Sequence, residues 1–382
     1  MTLPYSRQEI GEDDIRAVVR ALRSPFLTQG PAVKQFEDAL SKYSGVRFCV
    51  AFSNGTAALH GAYFAAGFGK GDEVIVPALT FAATGNAALY LGAKPIFADV
   101  DPRTGNIDVV DAASKIVKRT KGVVAVDYAG LPADLAGVRA LAKKNRLVFI
   151  EDAAQGLGAS YKGKKLGPLA DMTMFSFHPV KSITTGEGGA ILTNDRSYYE
   201  KLLMFRSHGL TRDPKRLKNK TYAPWHQEMQ LLGYNYRLTD IQAVLGTSQI
   251  KKLDRFITLR KRAASRYFIL LADISGVTLP PQDSLASSAW HLFVVHIDPR
   301  VRDRVFTRLR AHGIGVQVHY LPVYLHPYYA ALGYRKGQCP NAERYSFSAL
   351  SIPLFPRITK QEQVFVARTL KKIMHSIDAS SA

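Results

Sequence analysis

Short runs of β-branched and aromatic residues recur along the chain, and each gives way to a longer stretch whose apolar positions follow helical spacing. "RFCVAF", "DEVIVP", "KPIFADV", "GVVAVDY", "RLVFIED" and "TMFSF" predict strands, with helices starting at Thr56, Phe81, Ile107 and Asp134 between several of them. This β-α alternation implies a mostly parallel sheet covered by helices on both faces, a three-layer α/β architecture. "GGAILTND" reads as one more strand. Beyond it the pattern predicts a helix over 198–208, an irregular Lys/Arg-rich stretch over 209–222, and a long helix over 238–272. Strands near "HLFVVHID" and "GVQVHYLP" and a C-terminal helix then make a smaller α+β unit, so the expected division is a large domain over 1–250 and a small one over 251–382.

In parallel α/β sheets ligands gather at the carboxyl ends of the strands, where loops meet helix N-termini. "SNGTAAL" follows the first strand and offers the backbone N–H groups of Gly55, Thr56 and Ala57 with the Thr56 hydroxyl. That pattern suits a phosphate cup and equally an ordinary helix cap. "LVFIEDAAQG" ends an apolar strand on Asp152. A carboxylate there needs a cation or strong donors, whether a ligand's ring nitrogen, a helix end or a structural salt bridge. "SFHPVKSITTGEGG" sets Ser176 five residues before Lys181 and follows the lysine with hydroxyls and glycines. Lysine is normally a surface residue. It becomes a covalent catalyst when burial beside positive charge lowers its pKa. Phe81, opening the helix of "TFAATGNA", offers a ring that fits either a flat ligand or the core.

Taken together these are a phosphate cup, a stacking ring, a carboxylate for a ring nitrogen and an amine for an aldehyde. Those are the contacts that pyridoxal 5'-phosphate requires. A dinucleotide-binding dehydrogenase is the natural rival, but no G-x-G-x-x-G follows the first strand.

Charge and composition narrow the partners. Lys and Arg outnumber Asp and Glu by 51 to 31, a net charge of +20, which favours anionic ligands. The basic residues scatter through helices without a zinc finger or an RNA-binding aromatic pattern, and pyrophosphate-bearing small molecules fit that charge as well as nucleic acid does; Lys181, Asp152, Gln155 and Asn235, which nucleic-acid binding would not need, tip the expectation to the small molecule and no nucleic acid. No apolar run reaches the roughly 20 residues of a membrane span and the N-terminus lacks an apolar leader core, so no membrane association and a cytoplasmic location are expected. Two cysteines, Cys49 and Cys339, are too few for a disulfide framework and lack metal-ligand spacing.

Over nearly its whole length the chain resembles the pyridoxal-phosphate-dependent nucleotide-sugar aminotransferases of the DegT/DnrJ/EryC1/StrS family. The matching stretches are "FLTQGPAVKQFE", "NGTAAL", "TFAATGNA", "IEDAAQGLGA", "SFHPVKSITTGEGGA", "FRSHG", "GYNYRLTDIQAVLG" and "VHYLPVY". The resemblance implies fold type I, the aspartate-aminotransferase-like fold. It implies that Lys181 binds the cofactor covalently and shuttles a proton, that Asp152 pairs with the pyridine nitrogen, and that Gln155 touches the ring hydroxyl. Phe81 would stack on the ring, and Thr56, Ala57 and Ser176 would hold the phosphate. Asn235 would reach the phosphate from a neighbouring subunit, making a homodimer with shared sites. Thr28, Arg237, His319 and Tyr320 fall on the substrate side. The implied substrates are a UDP-linked 4-keto-6-deoxy sugar and L-glutamate, which leaves as 2-oxoglutarate; the alternatives are another nucleotide-linked keto-sugar or a non-catalytic cofactor-binding regulator. Many members carry histidine where this chain has Asp127.

Overall fold

The computed structural model describes residues 2–218 and 225–378. At its centre is a seven-stranded sheet in the spatial order Phe48–Phe52, Gly189–Thr193, Met172–Ser176, Val148–Asp152, Thr120–Val126, Glu73–Pro77, Lys94–Ala98. All of these pairings are parallel except the two made by Gly189–Thr193. Burial on both faces explains why the interior strands read as unbroken apolar runs: every residue of Glu73–Pro77 is buried.

Strand alternation divides the core into two layers. Val50, Phe52, Val76, Val124, Ile150, Met174 and Ile191 pack with Gly55–Ala65 and Ala82–Tyr90, whose small apolar residues fit helices covered nearly all round. Ala51, Ile75, Val123, Ala125, Phe149 and Phe175 face the other way, onto Pro31–Ser44 and Leu135–Asn145. Cys49 is a buried member of this second layer. A separate core forms around the antiparallel sheet Val277–Thr278, Phe293–Ile297, Ala349–Ile352, where Tyr267, Leu271, Val295, Leu309, Val366 and Leu370 meet. The extended N-terminus joins it, with Leu3 buried there and bonded to Gly313 and Gly315.

Several boundaries differ from expectation, each for a local reason. The helices expected at Thr56, Phe81, Ile107 and Asp134 begin at Gly55, Ala82, Val109 and Leu135, because Asn54, Phe81, Asp108 and Asp134 are N-caps. Asn54, Asp108 and Asp134 accept hydrogen bonds from the first-turn amides. The helix expected over 198–208 is Arg196–Phe205, capped by Asp195. The long helix over 238–272 is two, Asp240–Ile250 and Leu253–Leu271. No glycine or proline marks the break; there Lys252 reaches Asp13 and Asp14 on the Glu12–Leu22 helix, and the periodicity runs on across the bend. "GVQVHYLP" forms no ladder strand, only an isolated bridge from Gln317 to Ser351, with a second from Ile314 just before it to Leu3. The His319 carbonyl instead accepts from the Tyr128 hydroxyl. Of the Lys/Arg-rich stretch, Leu210–Thr211 pairs with Glu228–Met229, and 219–222 lie outside the described residues.

A buried ion pair ties the second layer to the sheet. Glu37 accepts from the Ala51 amide at 2.8 Å and pairs with Arg206, which donates to the Ala51 carbonyl at 2.7 Å. Arg206→Ala strands that carboxylate in the core, and denaturant unfolding is expected to show a loss of about 3–5 kcal/mol. A variant as stable as the wild type would show that the pair does not hold this corner.

Candidate active site

Strand ends and helix starts on the first face of the sheet converge on Asp152. Asp152 closes its strand with its side chain on the Ile150 face and is buried. Its Oδ2 accepts from the Thr84 hydroxyl at 2.7 Å and its Oδ1 from the Ala154 amide at 3.2 Å. Thr84 has one hydroxyl hydrogen and spends it on Asp152, so Thr80, 2.8 Å away, must donate to Thr84. Burial pushes the Asp152 carboxyl above its ordinary range, against the pull of the Thr84 donor and the Lys181 charge. No ion pair to Asp152 forms among the described residues, which removes the structural salt bridge as its explanation. A cation placed against Oδ1 or Oδ2 would restore its usual acidity.

Lys181 lies half-buried in the loop after Met172–Ser176, so it is not the surface lysine that bare odds favour. Burial lowers its amine to about 8, opposed by the nearby Asp152 charge. A neutral amine attacks aldehydes and an ammonium does not. Covalent capture of pyridoxal phosphate should therefore accelerate as pH rises through about 8, which stopped-flow absorbance would follow. A rate flat across that range would contradict the lowered amine.

The walls follow in order. Phe81 leaves its ring 59% exposed at the mouth, its centroid 5.9 Å from that of Tyr320. The Tyr320 hydroxyl accepts from Gln155 Nε2 at 2.9 Å, and Gln155 Oε1 accepts from the Ala129 amide at 2.7 Å. One Gln155 amide hydrogen is left for a ligand. His319 is buried, bonded through Nδ1 to Ser351 Oγ at 2.8 Å, and held neutral by burial, which lowers it to about 4. The Tyr5 ring lies 5.4 Å from the His319 ring.

The cup is shaped by two glycines. A Cβ on Gly55 would sit 3.2 Å from Ser176 Oγ, and one on Gly189 would sit 2.6 Å from the Asn54 carbonyl. Bare backbone is what lets the helix N-terminus lie against Ser176. Both readings of "SNGTAAL" hold at once: Asn54 Oδ1 takes the Ala57 amide at 2.8 Å, leaving Gly55 and Thr56 N–H without a protein partner among the described residues. Ala57 N–H is thus committed to the cap, contrary to the expectation that all three amides are free.

The structure brings Asp152, Gln155, Phe81 and Tyr320 together with Lys181 and His319, and sets Gly55, the residue before Thr56, beside Ser176. Asn235, Arg237 and Thr28 are not part of that cluster. The first two flank Tyr236, whose carbonyl accepts from the Ser53 amide at 2.8 Å, just before the cup. Thr28 bridges Thr239 on an exposed edge. Sequence reading missed Thr80 and Thr84, although two threonines four apart at a helix start in "TFAATGNA" put both hydroxyls on one side. It also missed His291, buried near Lys181 with Nδ1 unpartnered. Thr84→Val keeps the shape and removes the donor to Asp152. We expect a 10–100-fold lower turnover with cofactor retained, since hydrogen bonds to charged groups contribute about 1.5–3 kcal/mol. Unchanged turnover would exclude Thr84 from the site's machinery.

The residues present fit pyridoxal phosphate: free amides and a hydroxyl for the phosphate, an exposed ring for stacking, a cation-deficient buried carboxylate, and a partly neutral amine. This fold and this site define a fold type I pyridoxal-phosphate-dependent aminotransferase. Residues 8–371 match the DegT/DnrJ/EryC1/StrS aminotransferase family. The chain is 38% identical over 381 residues to the UDP-4-amino-4,6-dideoxy-N-acetyl-beta-L-altrosamine transaminase of Campylobacter jejuni subsp. jejuni serotype O:23/36, covering 98% of each. Among solved structures it is similar to Helicobacter pylori PseC, an aminotransferase involved in the biosynthesis of pseudoaminic acid, at TM-score 0.91 and 33% identity, covering 98% of this chain and 100% of that one. It also matches the PLP-form of the putative sugar aminotransferase Spr1654 from Streptococcus pneumoniae, at TM-score 0.92 and 28% identity over 99% and 100% of the two chains. The chain belongs to the DegT/DnrJ/EryC1/StrS family and is a sugar aminotransferase.

Proposed function

We propose that this enzyme moves the amino group of L-glutamate to C4 of UDP-2-acetamido-2,6-dideoxy-β-L-arabino-hexos-4-ulose, giving UDP-4-amino-4,6-dideoxy-N-acetyl-β-L-altrosamine and 2-oxoglutarate. The observation that carries this reading is the full-length similarity to the C. jejuni transaminase of that name, supported by the PseC likeness. The similar sugar aminotransferase CalS13 from Micromonospora echinospora keeps a second reading alive, amination of another nucleotide-linked keto-sugar.

Bound in this cleft, pyridoxal phosphate supplies an aldehyde that takes amines covalently and a ring that spreads carbanion charge. Gly55 and Thr56 N–H with Ser176 Oγ would hold its phosphate, Phe81 would stack on its ring, and Gln155 Nε2 would meet the ring hydroxyl. Asp152, aimed by Thr84, keeps the ring nitrogen protonated. Lys181 Nζ would hold the cofactor covalently and, once free, would take the proton from the α-carbon of glutamate; in the second half it would deliver a proton to C4 of the sugar. Tyr320 and His319 border the sugar side, with Arg237 and Thr28 reaching the nucleotide from the rim. The basic surface draws the UDP pyrophosphate, an attraction that salt weakens.

Asn235 completes the phosphate site of a second subunit in this reading. Its loop is exposed and apolar, with Leu232 75% exposed and Tyr234 beside it, as a surface covered by a partner would be. Incubation with 15N-glutamate and a panel of nucleotide keto-sugars, followed by NMR, tests the substrate. We expect label on C4 of the UDP sugar in the altro configuration. Label on C3, or only on a dTDP- or GDP-linked sugar, would replace this reading by the second.

A further inference from the structure

Directly behind Asp152 lie two acids that the transfer chemistry does not use. Glu151 precedes Asp152 on its strand, and Asp127 follows the neighbouring strand Thr120–Val126; both are fully buried. Val126 pairs with Asp152 and Ala125 with Glu151, so strand alternation turns Glu151 and Asp127 to the back of the sheet while Asp152 faces the cleft. The two acids lie near enough for each to act on the other's ionisation. Their outer oxygens are satisfied: Asp127 Oδ1 accepts from the Ala133 amide at 3.1 Å and Glu151 Oε2 from Thr173 Oγ1 at 2.7 Å. Asp127 Oδ2 and Glu151 Oε1 have no donor among the described residues. A Cβ on Gly156 would sit 2.6 Å from Asp127 Oδ2, so that side is closed by backbone.

Carboxylates are acceptors only, and two of them in contact in a dry core repel with nothing to offset the charge. One proton between them satisfies both orphan oxygens. We propose that Asp127 is a neutral carboxylic acid that donates its proton to Glu151, so that the pair carries a single negative charge behind the cofactor's carboxylate and acts as a positioning element for it.

The charged groups around the pair agree. Asp152 is the remaining acid on the adjoining strand, Thr173 faces Glu151 from Met172–Ser176, and no Lys, Arg or His side chain among the described residues pairs with either acid. Burial raises both carboxyls, Glu151 to about 7 and Asp127 well above its ordinary range, with the neighbouring acid charges adding to it. An acid whose pKa is raised by folding stabilises the fold fully below its unfolded value and loses that contribution as pH rises through the folded one. For Glu151 the loss runs from the ordinary carboxylate range up to about 7. A second ionisation, at Asp127, would set two anions behind Asp152, which would raise its carboxyl further and favour the protonated form of a ring nitrogen against it.

The test uses full-length, cofactor-loaded protein above the Glu151 midpoint of about 7. Infrared difference spectra of wild type against Asp127→Asn should show the C=O stretch of a protonated carboxylic acid, present only in wild type. The pH midpoint of the cofactor's absorption change should be the same in Asp127→Asn, which keeps shape and charge. It should fall by roughly one pH unit in Asp127→Asn/Glu151→Gln, which removes one negative charge. Absence of the acid band, a shifted midpoint in Asp127→Asn, or an unshifted one in the double variant would each overturn the proposal. So would failure of Asp127→Asn to fold, because an amide is the nearest stand-in for the neutral acid. Neither readout involves the sugar, so an error in the substrate assignment leaves this test intact.

Discussion

Lys181→Ala is expected to lower turnover by roughly 10⁴-fold, the upper end of what a positioned proton-transfer group contributes, and to abolish the visible absorbance of the covalently held cofactor. Lys181 Nζ is an amine inside the cleft with its pKa brought down to about 8 by burial, close enough to Asp152 for their charges to interact. Alanine removes both the covalent anchor and the base. Cofactor binding itself should persist at reduced affinity, because the amides of Gly55 and Thr56, the Phe81 ring and Asp152 remain. Steady-state kinetics with L-glutamate and a keto-sugar, alongside absorbance, checks this; normal turnover would end the mechanism.

Asp152→Asn is expected to keep the cofactor and lose about 10³-fold in turnover, comparable to removing one preorganised electrostatic contact at a reacting centre. Asparagine fills the same space between Thr84 and Ala154 but carries no charge to hold a proton on the ring nitrogen. The spectrum of the bound cofactor should therefore titrate at a different pH from wild type while the protein remains folded. Asp152→Asn turning over at the wild-type rate would reject the ring-nitrogen role. Loss of the fold instead would make Asp152 a structural residue.

How much of this was readable in advance depended on whether a feature is local. The central strands were legible because burial on both faces forces continuous apolar runs, and Gly55, Asp152 and Lys181 stood out because polar or flexible residues at strand ends need a reason. The hydrogen-bond chain from Thr80 through Thr84 to Asp152 was not legible, since it joins residues 68 positions apart. The Lys251–Lys252 break escaped because it is set by a salt bridge to Asp14 and not by a helix breaker. "GVQVHYLP" alternated like a strand, yet its carbonyls serve side chains such as Tyr128 across the fold. Caps shifted the predicted helix starts by one or two residues, the ordinary effect of a polar side chain standing in for the first turn's missing partners. Asp127 and Glu151 were visible as residues but not as a pair, because only the register of neighbouring strands brings them into contact.

The most direct test of the central claim is chemical trapping. Wild-type protein is loaded with pyridoxal phosphate, reduced with borohydride, digested and mapped by mass spectrometry. The account predicts one pyridoxyl-phosphate adduct, on the peptide containing Lys181. An adduct on a different lysine, or none under saturating cofactor, would contradict it.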